Sequence, residues 1–285
     1  MRKLAIVILT GVILILGAGQ MNQAQDLTTG SIYEKENVPN RKPVPLPHLR
    51  EADITWSKML WRMVDLREKI NQPLYFPTAP FGARMSLIDA LLAAVENGEI
   101  SVYTDDQFKT IKDVETVKAE LGGEPTTETV VDVDTGLPVT VEVPGEVRTF
   151  EVREYLILEQ WYFDKQRSRF DSRIIGLCPI RVSQRKDDQG NDTEETVKRQ
   201  IFWVYYPDAR EILARHEILT GNNDLASMSF DDIFLQRRFS GYIYRESNIH
   251  DNRAIQDYAH GRNALYESER IKNMIFNLEQ DLWEY

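Results

Sequence analysis

The spacing of apolar residues changes along this chain, and that change constrains the fold more than any other feature. Apolar residues recur at intervals of three and four within residues 53–70, 87–95 and 271–282, as on one face of a helix. Between these segments, VVDVDTGLPVTVEV alternates apolar and polar residues around the turn residues 134–136, which is typical of a β-hairpin. We therefore expect an α+β fold, with a strand-rich centre and helices on either side.

Local signals set the bounds of the expected elements. A first helix over 53–70 should end before Pro73, and a second should begin at the N-cap Ser86 and end at Gly98. A third is expected over 111–121. The remaining predictions are strands at 100–103, 173–182 and 201–206, a segment at 155–163 that fits either strand or helix, and an exposed connection at 185–195.

The first 19 residues predict a secretory signal peptide. A positive head is followed by an apolar run from Leu4 to Leu16 and then by small residues up to Gly19. The run is shorter than the roughly 20 residues that a membrane-spanning helix needs. Cleavage after Gly19 fits the pattern, with Ala24 as a later alternative, so we expect an exported protein.

The chain has one cysteine, Cys178. It can therefore neither close an internal disulfide nor carry lipid on an N-terminal cysteine, and the fold must be stabilised by a packed core. Because Cys178 lies in an apolar run, we expect a buried, inert thiol.

The overall charge is acidic. Lys and Arg number 34 against 45 Asp and Glu, a net charge of −11, and removal of Arg2 and Lys3 with the signal peptide leaves 32 against 45, or −13. This balance disfavours nucleic acid and anionic lipid as partners.

A proline-rich segment precedes the domain. We expect an extended arm over residues 20–49 and an α+β domain over 50–285, because VPNRKPVPLP at 38–47 has four prolines that favour extended backbone. The composition fits a binding arm and a solvated linker equally well.

Charge is also segregated along the chain. Residues 41–69 hold seven basic and four acidic side chains, residues 100–160 hold five and fourteen, and residues 161–185 hold six and two. The signs can neutralise one another within the subunit or form complementary faces between subunits, and the sequence leaves both alternatives open.

Signals for catalysis are weak. Asp134-Thr135-Gly136 matches the triplet of aspartic proteases, but it occurs once and lies where a hairpin turn needs Asp and Gly. The four histidines lack metal-ligand spacing, and no glycine-rich phosphate loop is present. We expect no catalytic residue, cofactor or metal. The alternatives are an enzyme that uses Asp134 and a ligand-binding module built on the aromatic loop 75–81.

Four long segments together resemble the GldN/PorN family of Bacteroidota. They are VPNRKPVPLPHLREADITWSKMLWRMVDLREKINQPLYFP, DSRIIGLCPIRV, IFWVYYPDAR and ALYESERIKNMIFNLEQDLWE. The resemblance implies a non-enzymatic periplasmic component of the type IX secretion system, which in gliding species is tied to motility. It also implies assembly with an outer-membrane lipoprotein, GldK or PorK, into a ring of many copies near the motor proteins GldL and GldM.

The resemblance places its signature on the arm and on the segment after it. As a hypothesis, we assign partner binding to Pro39, Arg41, Lys42, Pro43, Pro45, Pro47, Trp56, Trp61 and Arg62. A prolyl arm loses little conformational entropy on binding, and Trp and Arg are favoured at interfaces. Association with the outer membrane would then pass through the lipoprotein, without insertion of this chain.

Overall fold

The computed structural model describes residues 40–80, 84–123, 126–131, 138–143, 145–186, 192–218 and 228–283. The predicted signal peptide, the arm before Asn40 and the triplet at Asp134 lie outside these ranges. No helix in the described ranges is long and apolar enough to cross a membrane.

The strands form one large antiparallel sheet and two small hairpins. The sheet order is β11-β1-β5-β6-β8-β2, with β7 also paired to β6, while β3 pairs with β4 and β9 with β10. The strands are β1 (Ile54–Asp65), β2 (Val102–Tyr103), β3 (Thr126–Val131), β4 (Pro138–Val143), β5 (Val152–Asp164), β6 (Arg169–Lys186), β7 (Asp192–Gln200), β8 (Trp203–Tyr205), β9 (Glu217–Ile218), β10 (Met228–Ser229) and β11 (Tyr242–Glu246).

Helices lie between and after these strands. They are α1 (Gln72–Tyr75), α2 (Leu87–Glu96), α3 (Val114–Lys118), α4 (Tyr206–Arg215), α5 (Phe230–Leu235) and α6 (Arg262–Trp283). Two predicted helix signals are confirmed: the Ser86 hydroxyl accepts a hydrogen bond from the Asp89 amide to cap α2, and Gly98 has a positive φ just after it. The third predicted helix is α3, continued by a π-helical turn over Ala119–Gly123.

The core of the molecule is the β5–β6 pair, which is buried on both faces. One face packs against α2, α4 and α5 and, further along the sheet, against α6. The other carries a smaller apolar cluster that includes Trp61, Cys178 and Trp203. The Phe108 ring packs directly over Gly176 there, where a Cβ would lie 2.6 Å from the ring. Cys178 is fully buried, as expected, and burial raises the pKa of its thiol.

The predicted helix over 53–70 is wrong, because this segment forms strand β1. Its apolar residues fit a helical spacing only because both faces of the strand are covered. Leu60 faces α6 and Trp61 faces the opposite cluster, so buried residues occur consecutively instead of alternating. Pairing with β5 along the whole strand outweighs the helix propensity of its Met, Leu, Lys and Arg residues.

The remaining predictions are resolved by strand pairing. The ambiguous segment 155–163 lies in β5, and the hairpin expected around residues 134–136 is confirmed by antiparallel pairing of β3 with β4. Strands β6 and β7 extend into both ends of the 185–195 stretch, so the predicted connection is shorter than expected. Pro73, expected to stop a helix, instead lies in the first turn of α1. The α+β class is confirmed.

A buried hydroxyl in this core provides a test of packing. The Tyr155 side chain is fully buried, and its oxygen has no hydrogen-bond partner among the described residues. Tyr155→Phe should raise the free energy of unfolding by about 1 kcal/mol, because it removes an unpaired polar atom. Urea denaturation measures this. Tyr206→Phe is the control: its hydroxyl donates to Asp231, so the same change there should destabilise. A lower free energy of unfolding in Tyr155→Phe would contradict the conclusion that the Tyr155 hydroxyl is buried without a partner among the described residues.

Candidate partner-binding surface

The described part of the arm lies against its own subunit. The Arg41 guanidinium pairs with Asp232 of α5 at 3.0 Å. Further along, Arg210 of α4 donates to the Val44 carbonyl at 2.6 Å, and Arg173 of β6 donates to the Pro47 carbonyl. Two of these three contacts are made to main-chain oxygens. A proline-rich segment keeps these acceptors although its prolines lack amide donors.

The arginine that binds Val44 is held rigidly. Arg210 donates to both carboxylate oxygens of Asp231, at 2.9 and 3.0 Å, and the Tyr206 hydroxyl donates to the same carboxylate at 2.7 Å. All three side chains are buried. Burial acts to lower the pKa of Arg210, but the hydrogen bonds and charge of Asp231 outweigh it and raise the pKa. The guanidinium therefore stays charged and oriented toward the arm.

The arm also contributes to an apolar cleft. Leu46 and Pro47 line a space of about 230 Å³ together with side chains of β5, β6, α4 and α5, among them Tyr162 and Phe234. On its solvent side the arm exposes Val44, at 55%, and Pro45, while Leu46, which lines the cleft, is still 37% exposed. The bound arm thus presents the apolar side chains of Val44 and Pro45 outward.

The other predicted partner-binding residues lie on β1, with different environments. Trp61 is buried, donates from Nε1 to Asp106 at 3.1 Å, and has the Arg245 guanidinium 4.0 Å from its ring centroid. Arg62 donates to Glu159 and to the Gly241 carbonyl. Trp56 is half-buried beside α6. Direct binding of a partner by Trp61 and Arg62 stays a prediction, whereas their described contacts are within the subunit.

Arg62 belongs to a buried ionic cluster. Glu159, with 0% exposure, accepts hydrogen bonds from Arg62, Arg237 and the Trp161 indole at 2.9–3.2 Å. Burial by itself would raise the pKa of Glu159, but the two guanidinium groups lower it below its ordinary value. The cluster joins β1 and β5 to the segment between α5 and β11. Removing one partner would leave a buried charge uncompensated.

The acidic segment 100–160 is extensively paired within the subunit. Carboxylates that accept basic partners at 3.2 Å or closer are Asp106 (Arg245), Glu120 (Lys112), Glu151 (Arg181), Glu154 (Lys198) and Glu159 (Arg62 and Arg237). Five of the fourteen carboxylates of this segment are thus paired inside the subunit, two of them with Arg62 and Arg181 of the basic segments. Of the two alternatives that the sequence left open, these contacts favour neutralisation inside one subunit.

The features considered for enzymatic or ligand-binding alternatives are not assembled into a site in the described ranges. No group of three or more His, Cys, Asp or Glu side chains there is arranged to hold a metal ion. In the aromatic loop, the Tyr75 hydroxyl donates to the Phe150 carbonyl while Phe76 is exposed.

Comparison with known proteins decides the family. The model of a family described as gliding motility associated protein GldN matches residues 49–284. The chain belongs to the GldN family. No curated protein matches it. The predicted resemblance is therefore confirmed over nearly the whole chain, and a GldN-family member is associated with gliding motility.

Sequence reasoning missed the residues that hold the arm in this GldN-family chain. Arg173 lies in DSRIIGLCPIRV and Arg210 in IFWVYYPDAR, two of the strings that carried the resemblance, but neither was singled out. Arg173 directly precedes an apolar run, which is a usable signal, whereas Arg210 stands between Ala209 and Glu211 and has none. Their convergence on the arm depends on packing of α4 against β6, which is not readable from spacing.

The ionic cluster around Glu159 makes stability depend on pH. Glu159→Gln should lower the free energy of unfolding by about 3 kcal/mol at pH 7, because two arginines lose their carboxylate. Since the pKa of Glu159 is lowered on folding, its contribution is present above about pH 4.5 and is lost as pH falls through the folded-state pKa. Urea denaturation at pH 7 and at pH 3 should therefore show a smaller difference between wild type and variant at the lower pH.

Asp171→Asn is the matched control for this test, since the Asp171–Arg169 pair is solvent-exposed and contributes under about 1 kcal/mol. Equal effects of the two substitutions at pH 7 would contradict the role assigned to Glu159.

Proposed function

We propose that this GldN-family chain is a non-enzymatic structural component of the type IX secretion system. It acts in the periplasm, where it assembles with a GldK/PorK-like outer-membrane lipoprotein and with copies of itself into a ring. The ring supports protein secretion and, in gliding species, motility, with GldL- and GldM-like motor proteins nearby. The observation that carries the proposal is the family match over residues 49–284. The predicted signal peptide supports the location.

The arm is the proposed contact with the lipoprotein or with a neighbouring copy. Its support is the combination of an anchored inner side, held by Arg41, Arg173 and Arg210, and apolar side chains exposed at Val44 and Pro45. An arm already ordered on its own subunit binds with a smaller entropic cost than a free linker. Main-chain contacts tolerate sequence variation on the inner side, so specificity rests on the outward side chains.

An enzyme is the second candidate function, with Asp134 as its candidate catalytic residue. Without a second such triplet, an aspartic protease would need two copies to bring two carboxylates together. The neutral thiol of Cys178 is buried and offers no nucleophile. These features, together with the family match, favour the structural role.

The outer edge of the arm provides the main test. The double substitution Val44→Asp with Leu46→Asp should abolish co-purification of the GldK/PorK-like lipoprotein or self-association, because it places charge in an apolar contact. The main-chain bonds to Arg173 and Arg210 do not involve the substituted side chains, and a melting curve separates a loss of assembly from a loss of the contacts that Leu46 makes in the cleft. Pull-down followed by imaging of the native complex measures assembly.

Val197→Asp is the control for the arm variant, since Val197 of β7 is similarly exposed at 45% and lies away from the arm. Deletion of residues 38–47 should reproduce the loss. If both arm variants form complexes of wild-type size and composition, the arm does not mediate assembly.

The enzymatic alternative has a separate test. Asp134→Asn should leave secretion of cargo proteins in cells at the wild-type level, because a structural subunit has no use for this carboxylate. The arm variant in the same strain background provides the comparison, with secretion expected to fail. Loss of secretion in Asp134→Asn, at normal protein abundance, would favour the protease.

A further inference from the structure

A polar cavity lies on the face of the sheet that is opposite α4 and α5. Its volume is about 450 Å³, within the range of roughly 300–1,000 Å³ that is typical of small-molecule sites. Its polar lining comes from residues 104–106, from Arg245 of β11, and from residues 251–254 and 257 of the segment that leads to α6. The buried side chains of Leu156 and Trp203 also line it, so the cavity reaches down to the apolar cluster on this face. None of these residues lines the cleft beneath the arm.

Arg245 is one of two arginines that line the cavity. Its guanidinium carbon lies 4.0 Å from the centroid of the Trp61 ring, and it donates to Asp106 at 2.6 Å. Its Nε is buried and has no hydrogen-bond partner among the described residues. A buried donor without an acceptor is costly, and a guanidinium has five donors. The contacts inside the subunit therefore leave the hydrogen-bonding capacity of Arg245 only partly used.

Arg253 is the second arginine of the cavity. Its guanidinium carbon lies 4.6 Å from the centroid of the Tyr258 ring. Within the described part of the chain, this guanidinium makes no ion pair and no hydrogen bond. Stacking on an aromatic ring orients a guanidinium without using its donors. Both arginines thus bring unused donors to the same cavity.

The loop that presents Arg253 is ordered by its own asparagines. The Asn252 side chain accepts from the Asn248 amide, and the Asn248 side chain accepts from the His250 amide, each at 2.9 Å. These bonds support the left-handed backbone of Asp251 and Asn252, which have φ values of 54° and 53°. A ligand that binds here therefore meets a wall whose order has already been established, which lowers the entropic cost of binding.

The cavity also has carboxylates. Those that line it are Asp105, Asp106, Asp251 and Asp257. Asp106 and Asp257 each accept hydrogen bonds from within the subunit. The side chains of Asp105 and Asp251 accept none from a described residue. Unused acceptors therefore line the same space as the unused donors of the arginines.

This mixture of charges decides the class of ligand. A simple anion would meet two guanidinium groups but four carboxylates, so it is disfavoured. A simple cation would leave the donors of Arg245 and Arg253 without an acceptor. In the described ranges, no group of three or more His, Cys, Asp or Glu side chains is arranged to hold a metal ion. A small molecule that carries both signs satisfies both sets of groups.

We propose that this cavity binds a small zwitterion of the amino-acid class, either a free amino acid or a short peptide with unblocked ends. The carboxylate of the ligand accepts from Arg253 and Arg245, and its ammonium group donates to Asp251 and Asp105. Leu156 and Trp203 provide the apolar contact between the two ends. This role does not depend on the arm or on assembly into a ring.

The test is a series of peptides added to the chain without its predicted signal peptide. Glycine, glycylglycine and triglycine carry the same two charges at increasing separation, and at least one should bind with a dissociation constant of about 1 mM or tighter. N-acetylation or C-terminal amidation of the best binder removes one charge, and each blocked form should bind roughly tenfold more weakly or worse. Chemical-shift titration of the isotopically labelled chain measures constants in this range and locates the affected residues.

Two variants separate the two ends of the ligand. In Arg253→Gln, the preference for the unblocked peptide over its amidated form should disappear, because the carboxylate has lost its main donor. In Asp251→Asn, the preference over the N-acetylated form should disappear instead. A general loss of structure would not produce these opposite selectivities, and circular dichroism checks that each variant is folded.

Arg262→Gln is the control, because Arg262 is an exposed arginine at the start of α6 that does not line the cavity. It should leave all constants unchanged. The proposal is overturned if none of the three peptides binds, if the blocked forms bind as well as the unblocked one, or if both variants keep both preferences. Chemical-shift changes confined to residues outside the cavity would overturn it as well.

Discussion

The pairing of β5 with β6 is the interaction on which the rest of the structure depends. The two strands, of 13 and 18 residues, are buried on both faces where residues 155–158 pair with 176–179, so each face must be covered there before the pair can be stable. Helices α2, α4 and α5 cover one face, and the cluster around Trp61, Cys178 and Trp203 covers the other. With one cysteine in the chain, no internal disulfide can replace this packing.

Because both faces of β5 are buried, a charged side chain on this strand needs a partner inside the subunit. Glu159 lies in β5 on a face that is otherwise apolar, so it requires Arg62 and Arg237 to compensate its desolvation. Further from the centre, Arg181 of β6 pairs with Glu151 and Lys198 of β7 pairs with Glu154. These carboxylates of the acidic stretch are therefore engaged inside the subunit. The arm, by contrast, exposes the apolar side chains of Val44 and Pro45.

The sequence predicted those elements whose signals lie within the element itself. The capped helix α2 and the terminal helix α6 could be predicted because Ser86, Gly98 and the spacing of Ile271 and Ile275 act within one element. The β3–β4 hairpin was readable for the same reason. Strand β1 was not, because its consecutive buried residues reflect cover from both sides of a sheet that does not exist until β5 and β11 are in place.

The same distinction between local signals and long-range contacts applies to the candidate partner-binding surface. By itself the sequence determined the α+β class, the dependence on a packed core and the family resemblance, since local periodicity and long characteristic strings can be read without the fold. The extended arm over 20–49 stays a prediction. Only the tertiary structure decided that Arg173 and Arg210 meet on the carbonyls of the arm and that Trp61 and Arg62 face inward. It likewise placed Trp56 beside α6. These arrangements join residues separated by more than a hundred positions, and sequence spacing carries no information about such contacts until the sheet brings them together.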